Sequence, residues 1–235
     1  MASIASQTTA ELGGRLSILV RQREDHIRLE RMLEQLDLTH GVALDELLNR
    51  ISRLVFTHAF AEESVLWPAL RRAVPDGEEL TVKVEQEHQE ITELTARLES
   101  RPPGAPPSEL LAEVVSLLRQ DVRDEEDELL PSLQAAMSVQ ELHRLGILWE
   151  VVRRTAPTRA HPVVSRRPPG NVLAALPLSV IDRTRDGVEY LGRRMPGALT
   201  SRLNAASKAL ASVASPVERL RPLRRGERPE THVDR

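Results

Sequence analysis

What most limits the fold of this 235-residue chain is a set of ionisable side chains standing where helical apolar stripes call for leucine. Leu19, Gln22, His26, Leu29, Leu33 and Leu36 recur at three- and four-residue steps, as one face of a helix does. The same period runs through Leu44, Leu47, Ile51, Leu54, His58, Glu62 and Val65, and through Val84, His88, Ile91, Thr95 and Leu98. It returns in Leu110, Val114, Leu117, Asp121, Glu125 and Glu128 or Leu129. A polar group forced into a packed core costs on the order of several kcal/mol unless it is paired or bound to a metal. A single buried histidine is more often a hydrogen-bonded core residue. Six such groups in four stripes need a common cause, and a metal centre is the economical one.

Four stripes predict four long helices. The first is expected over about Leu12 to Leu36, and a turn at Asp37–Gly41 leads to the second, which Pro68 should kink near its end. Pro75-Asp76-Gly77 is a turn before the third, RPPGAPP over 101–107 is the next connection, and Ser108 is the expected N-cap of the fourth. A shorter fifth helix is expected from Val139 to Arg153, with Leu142, Leu145, Leu148, Trp149 and Val152 on its apolar side. Short connections between long helices favour antiparallel neighbours. Aromatic residues make up only 2%, and no strand pattern competes. The predicted fold is all-α, an up-down-up-down four-helix bundle over residues 10–154 including the fifth helix.

The net charge of −3 conceals an asymmetry: residues 1–150 sum to −13 and residues 151–235 to +10. Residues 155–235 therefore read as a separate, weakly structured basic extension. An Arg/Pro-rich extended linker over 155–171 is followed by weak helices at Val180–Met195 and Leu199–Val213, with disorder from Pro216. A solvated tail or a clamp against the acidic bundle suits it best. It has no nucleic-acid motif, so no specific nucleic-acid partner is expected, and it identifies no protein partner. The chain has no cysteine, which excludes disulfides, thiolate nucleophiles and thiolate metal sites, so any metal is held by nitrogen and oxygen. No basic start precedes a long apolar stretch and no uncharged apolar run reaches ~18 residues, so a cytoplasmic protein without a transmembrane segment is expected.

Ligands to one centre must share a layer of the bundle. At ~1.5 Å of rise per residue, the heights of His26, His58, His88 and Asp121 along their expected helices agree to within about a turn. His58 and Glu62, like Asp121 and Glu125, are four residues apart, so both members of each pair face one point. A long carboxylate one turn from an imidazole can bridge two ions, which makes Glu62 and Glu125 the bridging candidates.

His26 in DHIRLERML, His58 and Glu62 in HAFAEESVLWPAL, His88 in EHQEI, and Asp121 with Glu125 in DVRDEEDELLP resemble the hemerythrin-like, HHE cation-binding domain, over about residues 15–136. The resemblance implies two iron ions held in the bundle. It implies a non-haem di-iron protein that binds or turns over dioxygen or hydrogen peroxide, with catalase-like activity as an enzymatic form. The alternative it implies is a sensor of iron, oxygen or nitric oxide acting through the extension.

One departure stands out: Asp121 takes the place where the family usually has histidine. A shell of three imidazoles and three carboxylates is hard, stabilises a ferric state and tolerates Mn(II). That makes reversible oxygen carriage less apt than oxygen or peroxide turnover. Glu85 and His88 form a single Glu-x-x-His, whereas the ferritin-like architecture wants two copies. Glu63, Glu126 and Glu128 are expected at helix edges or in solvent, one of them at most supporting a ligand from behind. His40, His143, His161 and His232 are expected to be non-ligands, and Phe56, Trp67 and Trp149 to be core packing.

Overall fold

Ser17 begins the first long helix: its hydroxyl accepts from the Leu19 N–H at 3.2 Å, an N-cap. The computed structural model describes residues 2–99, 109–195, 197–226 and 229–231, and every regular element among them is helical. The long helices are α1 (Ile18–Leu33), α2 (Gly41–Ala61), α4 (Gly77–Glu99), α5 (Glu109–Asp124), α7 (Val139–Thr155), α8 (Gly170–Gly192) and α9 (Ala198–Glu218). Two short ones, α3 (Trp67–Ala73) and α6 (Leu130–Ala136), continue α2 and α5. Helix α1 starts later than expected because Gly13 and Gly14 both take φ of +89°, which breaks the helical period and folds the N-terminal arm back, burying Ile4 and Leu12. The expected connection at 101–107 and the cap at Ser108 lie outside the described residues.

Two apolar clusters establish the antiparallel order. One gathers the start of α1 (Ile18, Leu19), the end of α2 and α3 (Ala61, Trp67, Leu70), the start of α4 (Val84) and α6 (Leu130, Leu133). The other gathers the end of α1 (Leu29, Leu33), the start of α2 (Leu44, Leu47), the end of α4 (Leu94, Leu98) and the start of α5 (Leu111, Val114). Ends of α1 and α4 meeting starts of α2 and α5 is up-down-up-down packing.

Pro68 does not simply kink its helix. Residues Glu62–Leu66 form a π-helical turn in which the Trp67 N–H bonds the Glu62 carbonyl, and Glu125–Leu129 repeat it with Leu130 and the Glu125 carbonyl. Pro68 and Pro131 lack the N–H that an α-helix would need there, and the wider turn absorbs both the missing donor and the ring. Helix α7 opens with a capping box, Ser138 with Glu141, and lies across the bundle. It packs closely because Gly146 has no side chain; a Cβ there would collide with the Leu16 carbonyl.

The extension holds more structure than its composition suggests. Helices α8 and α9 are 23 and 21 residues long, α9 continues through Pro216 to Glu218, and short 3₁₀ turns follow at Arg221–Arg224 and Pro229–Thr231. The strap over 156–169 is irregular, as its prolines require, but its Arg159, His161, Arg166 and Arg167 are buried. Arg167 grips Glu85 with Nε and Nη2 at 2.8 and 2.6 Å and reaches Glu78 at 2.7 Å. Of the two roles that fit its charge, the extension takes the clamp. Among the described residues no helix is long and apolar enough to cross a membrane.

His161 ties the strap to the hairpin, with Nε2 3.0 Å from Asp182 and Nδ1 2.9 Å from Glu218. Burial alone would lower its pKa, but the two carboxylates raise it to about 9. A raised histidine stabilises fully below its unfolded pKa of about 6.5 and loses that contribution as pH climbs through the folded value. The thermal stability of the full chain should therefore fall between about pH 6.5 and 9 by up to roughly 3 kcal/mol from this residue. Parallel melts of wild type and His161→Gln isolate it: the difference between them should shrink with rising pH, and a constant difference contradicts the assignment.

Candidate metal centre

Between the two apolar clusters lies one polar layer. Helix α1 contributes His26, α2 His58, α4 His88 and α5 Asp121, while Glu62 and Glu125 are the first residues of the two π turns. All six are buried, and the structure brings together every residue that the stripes singled out. Their ligand atoms form two groups, each within 4.8 Å: His26, His58, Glu62 and Glu125, and then His88, Asp121 and Glu125. Glu125 spans them, its Oε2 3.2 Å from His26 Nε2 and its Oε1 3.6 Å from His88 Nε2. Glu62 spans them as well, with Oε1 3.0 Å from His58 Nε2 and Oε2 3.7 Å from His88 Nε2. Asp121 Oδ1 stands 3.4 Å from His88 Nε2, so the residue that departs from the family pattern sits inside the cluster.

These approaches are close but not aligned as hydrogen bonds. His26 Nε2, His58 Nε2, both Glu62 oxygens, Asp121 Oδ1 and Glu125 Oε1 are buried without a hydrogen-bond partner. Buried polar atoms are normally satisfied, so convergent lone pairs left bare in one layer call for a cation. A nitrogen-and-oxygen donor set of this composition fits a first-row metal ion.

Behind the imidazoles stands a ring of carboxylates that the apolar stripes do not mark. Glu63 and Glu126, expected at edges or in solvent, turn inward: Glu63 Oε1 is 3.0 Å from His88 Nδ1 and Glu126 Oε1 is 2.9 Å from His26 Nδ1. Asp25 Oδ2, from a residue outside every stripe, is 3.4 Å from His58 Nδ1. Carboxylates at Nδ1 hold the proton there and leave Nε2 free to face the centre. The signal was present in the spacing, since each bridging glutamate is followed at once by a second, as Glu62-Glu63 and Glu125-Glu126. Glu128, by contrast, is exposed.

The carboxylates of the layer favour positive charge at its centre. Burial would lower the pKa of His26, but Glu125 and Glu126 raise it to about 9; His58 and His88 are likewise raised well above the usual range by the carboxylates around them. Burial would raise Glu125, yet His26 and His88 hold it down at about 2. Asp121 is pushed up, first by burial and then by Glu125 and Glu62, against the pull of His88.

Glu85 does not join the centre; it pairs with Arg71 and Arg167, so the lone Glu-x-x-His has no ferritin-like role. Trp149 of α7 meets the His58 ring edge-on at 5.4 Å, and Trp67 lies 6.5 Å from His88, so both close the walls of the layer. His40 is exposed, His143 bonds the Gly13 carbonyl, and His161 belongs to the extension, all away from the layer; His232 lies outside the described residues.

Residues 17–133 match the model of the hemerythrin HHE cation binding domain. A relative described as an uncharacterized hemerythrin-like protein of Schizosaccharomyces pombe is 27% identical over 136 residues, 56% of this chain and 66% of that relative, just under two thirds of its length. No solved structure matches the chain.

Replacing Glu63 or Glu126 by glutamine should leave the helical content unchanged and weaken metal affinity by about 10–100-fold, measured by competition with a chromophoric chelator. Affinity equal to wild type in both variants would contradict the role given to these carboxylates.

Proposed function

The chain belongs to the hemerythrin HHE cation-binding family, and from that premise we propose that the bundle binds a pair of non-haem iron ions and uses them to bind or turn over dioxygen or hydrogen peroxide. The observation that carries this reading is the overlap of two donor groups at Glu125, with Glu62 as a second span. Two ions sharing carboxylates is the arrangement that such an overlap serves. Bound iron supplies Lewis acidity and one-electron chemistry. The chain supplies the rest. With Glu62 and Glu125 both shared, each side has four donors, and the two sides differ in that Asp121 stands where the other has an imidazole. A cavity of about 30 Å³ borders the layer, touching His26, His58, His88 and Asp121 and walled by apolar side chains such as Leu29 and Ile91. A water needs at least ~10–15 Å³ by this measure, so the space admits a two-atom or similarly small molecule. The three carboxylates make the shell hard and anionic, which favours turnover over reversible carriage and tolerates manganese.

A second reading, that of a sensor, is favoured by one specific contact. Arg166 of the strap lies 3.4 Å from Glu63 Oε1, the atom that holds His88 Nδ1, and also bonds Gln89 and Thr92. A change of charge at His88 is thereby passed to the extension through two contacts.

Purified protein should carry about two iron ions per chain by elemental analysis. Glu125→Gln should lose both, whereas Asp121→Ala should keep about one. Fewer than one iron or manganese per two chains sinks the metal reading, and peroxide consumption that survives replacement of both Glu62 and Glu125 removes turnover. For the sensor, the protease sensitivity of residues 156–226 should differ between iron-loaded and metal-free protein, and Arg166→Gln should abolish the difference; identical digestion patterns in wild type rule it out.

A further inference from the structure

The extension has a small core of its own, Val164, Ala174, Leu178, Ala214 and Leu223, and does not press it against the leucine cluster at the far end of the bundle. Between that leucine cluster and the polar side of α8 and α9 lies a cavity of about 830 Å³. Packed interiors leave few voids larger than a water molecule, whereas ligand pockets run roughly 300–1,000 Å³. A space of this size has the dimensions of a binding site.

Its walls differ in chemistry. The bundle presents apolar side chains, Leu48, Ile51, Val55, Leu111 and Leu118 among them, and the extension presents Arg185, Arg193 and Lys208. Arg159, in the same wall, is saturated by Asp186 and Glu189 at 2.8 Å each. The other three are held less closely. Arg185 approaches Glu189 only to 3.9 Å and Arg193 approaches Glu46 only to 3.7 Å, and the Nε of each is buried without a hydrogen-bond partner. Lys208 makes no ion pair among the described residues. Of the carboxylates lining the space, Glu189 is held by Arg159 and Ser207, Glu99 lies 3.9 Å from Arg159 and attracts Arg185, and Asp45 belongs to the bundle wall. Cationic side chains at the edge of an apolar trough are complementary to one kind of molecule, an alkyl chain ending in an anion.

We propose that this cavity binds a single-chain amphipathic carboxylate, with its chain on the far leucine cluster of the bundle and its head on Arg185, Arg193 and Lys208. The inner end of the site is fixed by Val55, Phe56, Ile91 and Leu118, which line both this cavity and the small one at the metal layer. A bound chain ends one layer of side chains from His88 and Asp121, and its presence is felt there. That last step rests on the metal reading above; the binding itself does not.

The test uses the full chain, freed of lipid, with dodecanoate and dodecanol as probes in isothermal titration calorimetry. Dodecanoate should bind at least about tenfold more tightly than dodecanol, the worth of one charge-assisted contact. The double variant Arg185→Gln/Arg193→Gln should remove that preference and leave dodecanol binding unchanged. Ser52→Trp, which fills the cavity from a half-buried position on α2, should abolish binding of both, with helical content checked by circular dichroism. Equal affinity for the two probes overturns the carboxylate. No binding to folded wild type, or unimpaired binding to folded Ser52→Trp, overturns the site. In iron-loaded protein, dodecanoate should shift the optical spectrum of wild type but not of Ser52→Trp; binding without a shift overturns the link to the metal layer alone.

Discussion

Burying three carboxylates and three imidazoles in one layer between two leucine clusters creates an electrostatic demand that the rest of the molecule answers in rings. The imidazoles are aimed by Asp25, Glu63 and Glu126, and two of those carboxylates have arginine partners of their own. Asp25 receives Arg153 of α7 at 3.4 Å, and Glu63 receives Arg166 of the strap at 3.4 Å. Glu126, the third of them, makes no ion pair with an arginine among the described residues. The fifth helix and the basic extension are thus bound to the bundle by the same charge alternation that begins at the centre: cation, carboxylate, guanidinium. This accounts for an extension of +10 beside a bundle of −13 better than a solvated tail does.

Periodicity made the bundle and its polar layer legible because a core position tolerates a charge only for a reason, and that reason is visible one residue at a time. His26, His58, Glu62, His88, Asp121 and Glu125 all stood out in this way. The outer carboxylates did not, since Glu63 and Glu126 occupy helical positions that are ordinarily solvated and come inward only because each π turn rotates the residue after its bridging glutamate. Asp25 was hidden by its neighbour: it precedes His26 in sequence but serves His58 on another helix. The strap was misleading for a related reason. Proline and arginine together read as linker, and only the three-dimensional pairing of Arg159, Arg166 and Arg167 with distant acids makes those residues core. Composition reports charge, not the address of the counter-charge.

The halves of the bundle correspond closely enough for their one difference to be informative. Asp25-His26 on α1 matches Glu87-His88 on α4, and His58, Glu62, Glu63 and Pro68 match Asp121, Glu125, Glu126 and Pro131. The correspondence is reciprocal in space, because Glu126 from one half holds His26 of the other and Glu63 holds His88. In the first half Asp25 accepts from the His58 imidazole. In the second, an aspartate stands where that imidazole would be, and it has no Nδ1–H for Glu87 to accept. Glu87 is accordingly left with one buried oxygen unpartnered, and burial together with Asp124 raises its pKa to about 7. The single exchange of histidine for aspartate therefore does two things to one side of the layer. It removes a neutral nitrogen donor in favour of an anionic oxygen, and it unties the carboxylate that would have braced that donor from behind. The difference between the halves is thus confined to Asp121 and Glu87, since His26, His58 and His88 each keep a carboxylate at Nδ1.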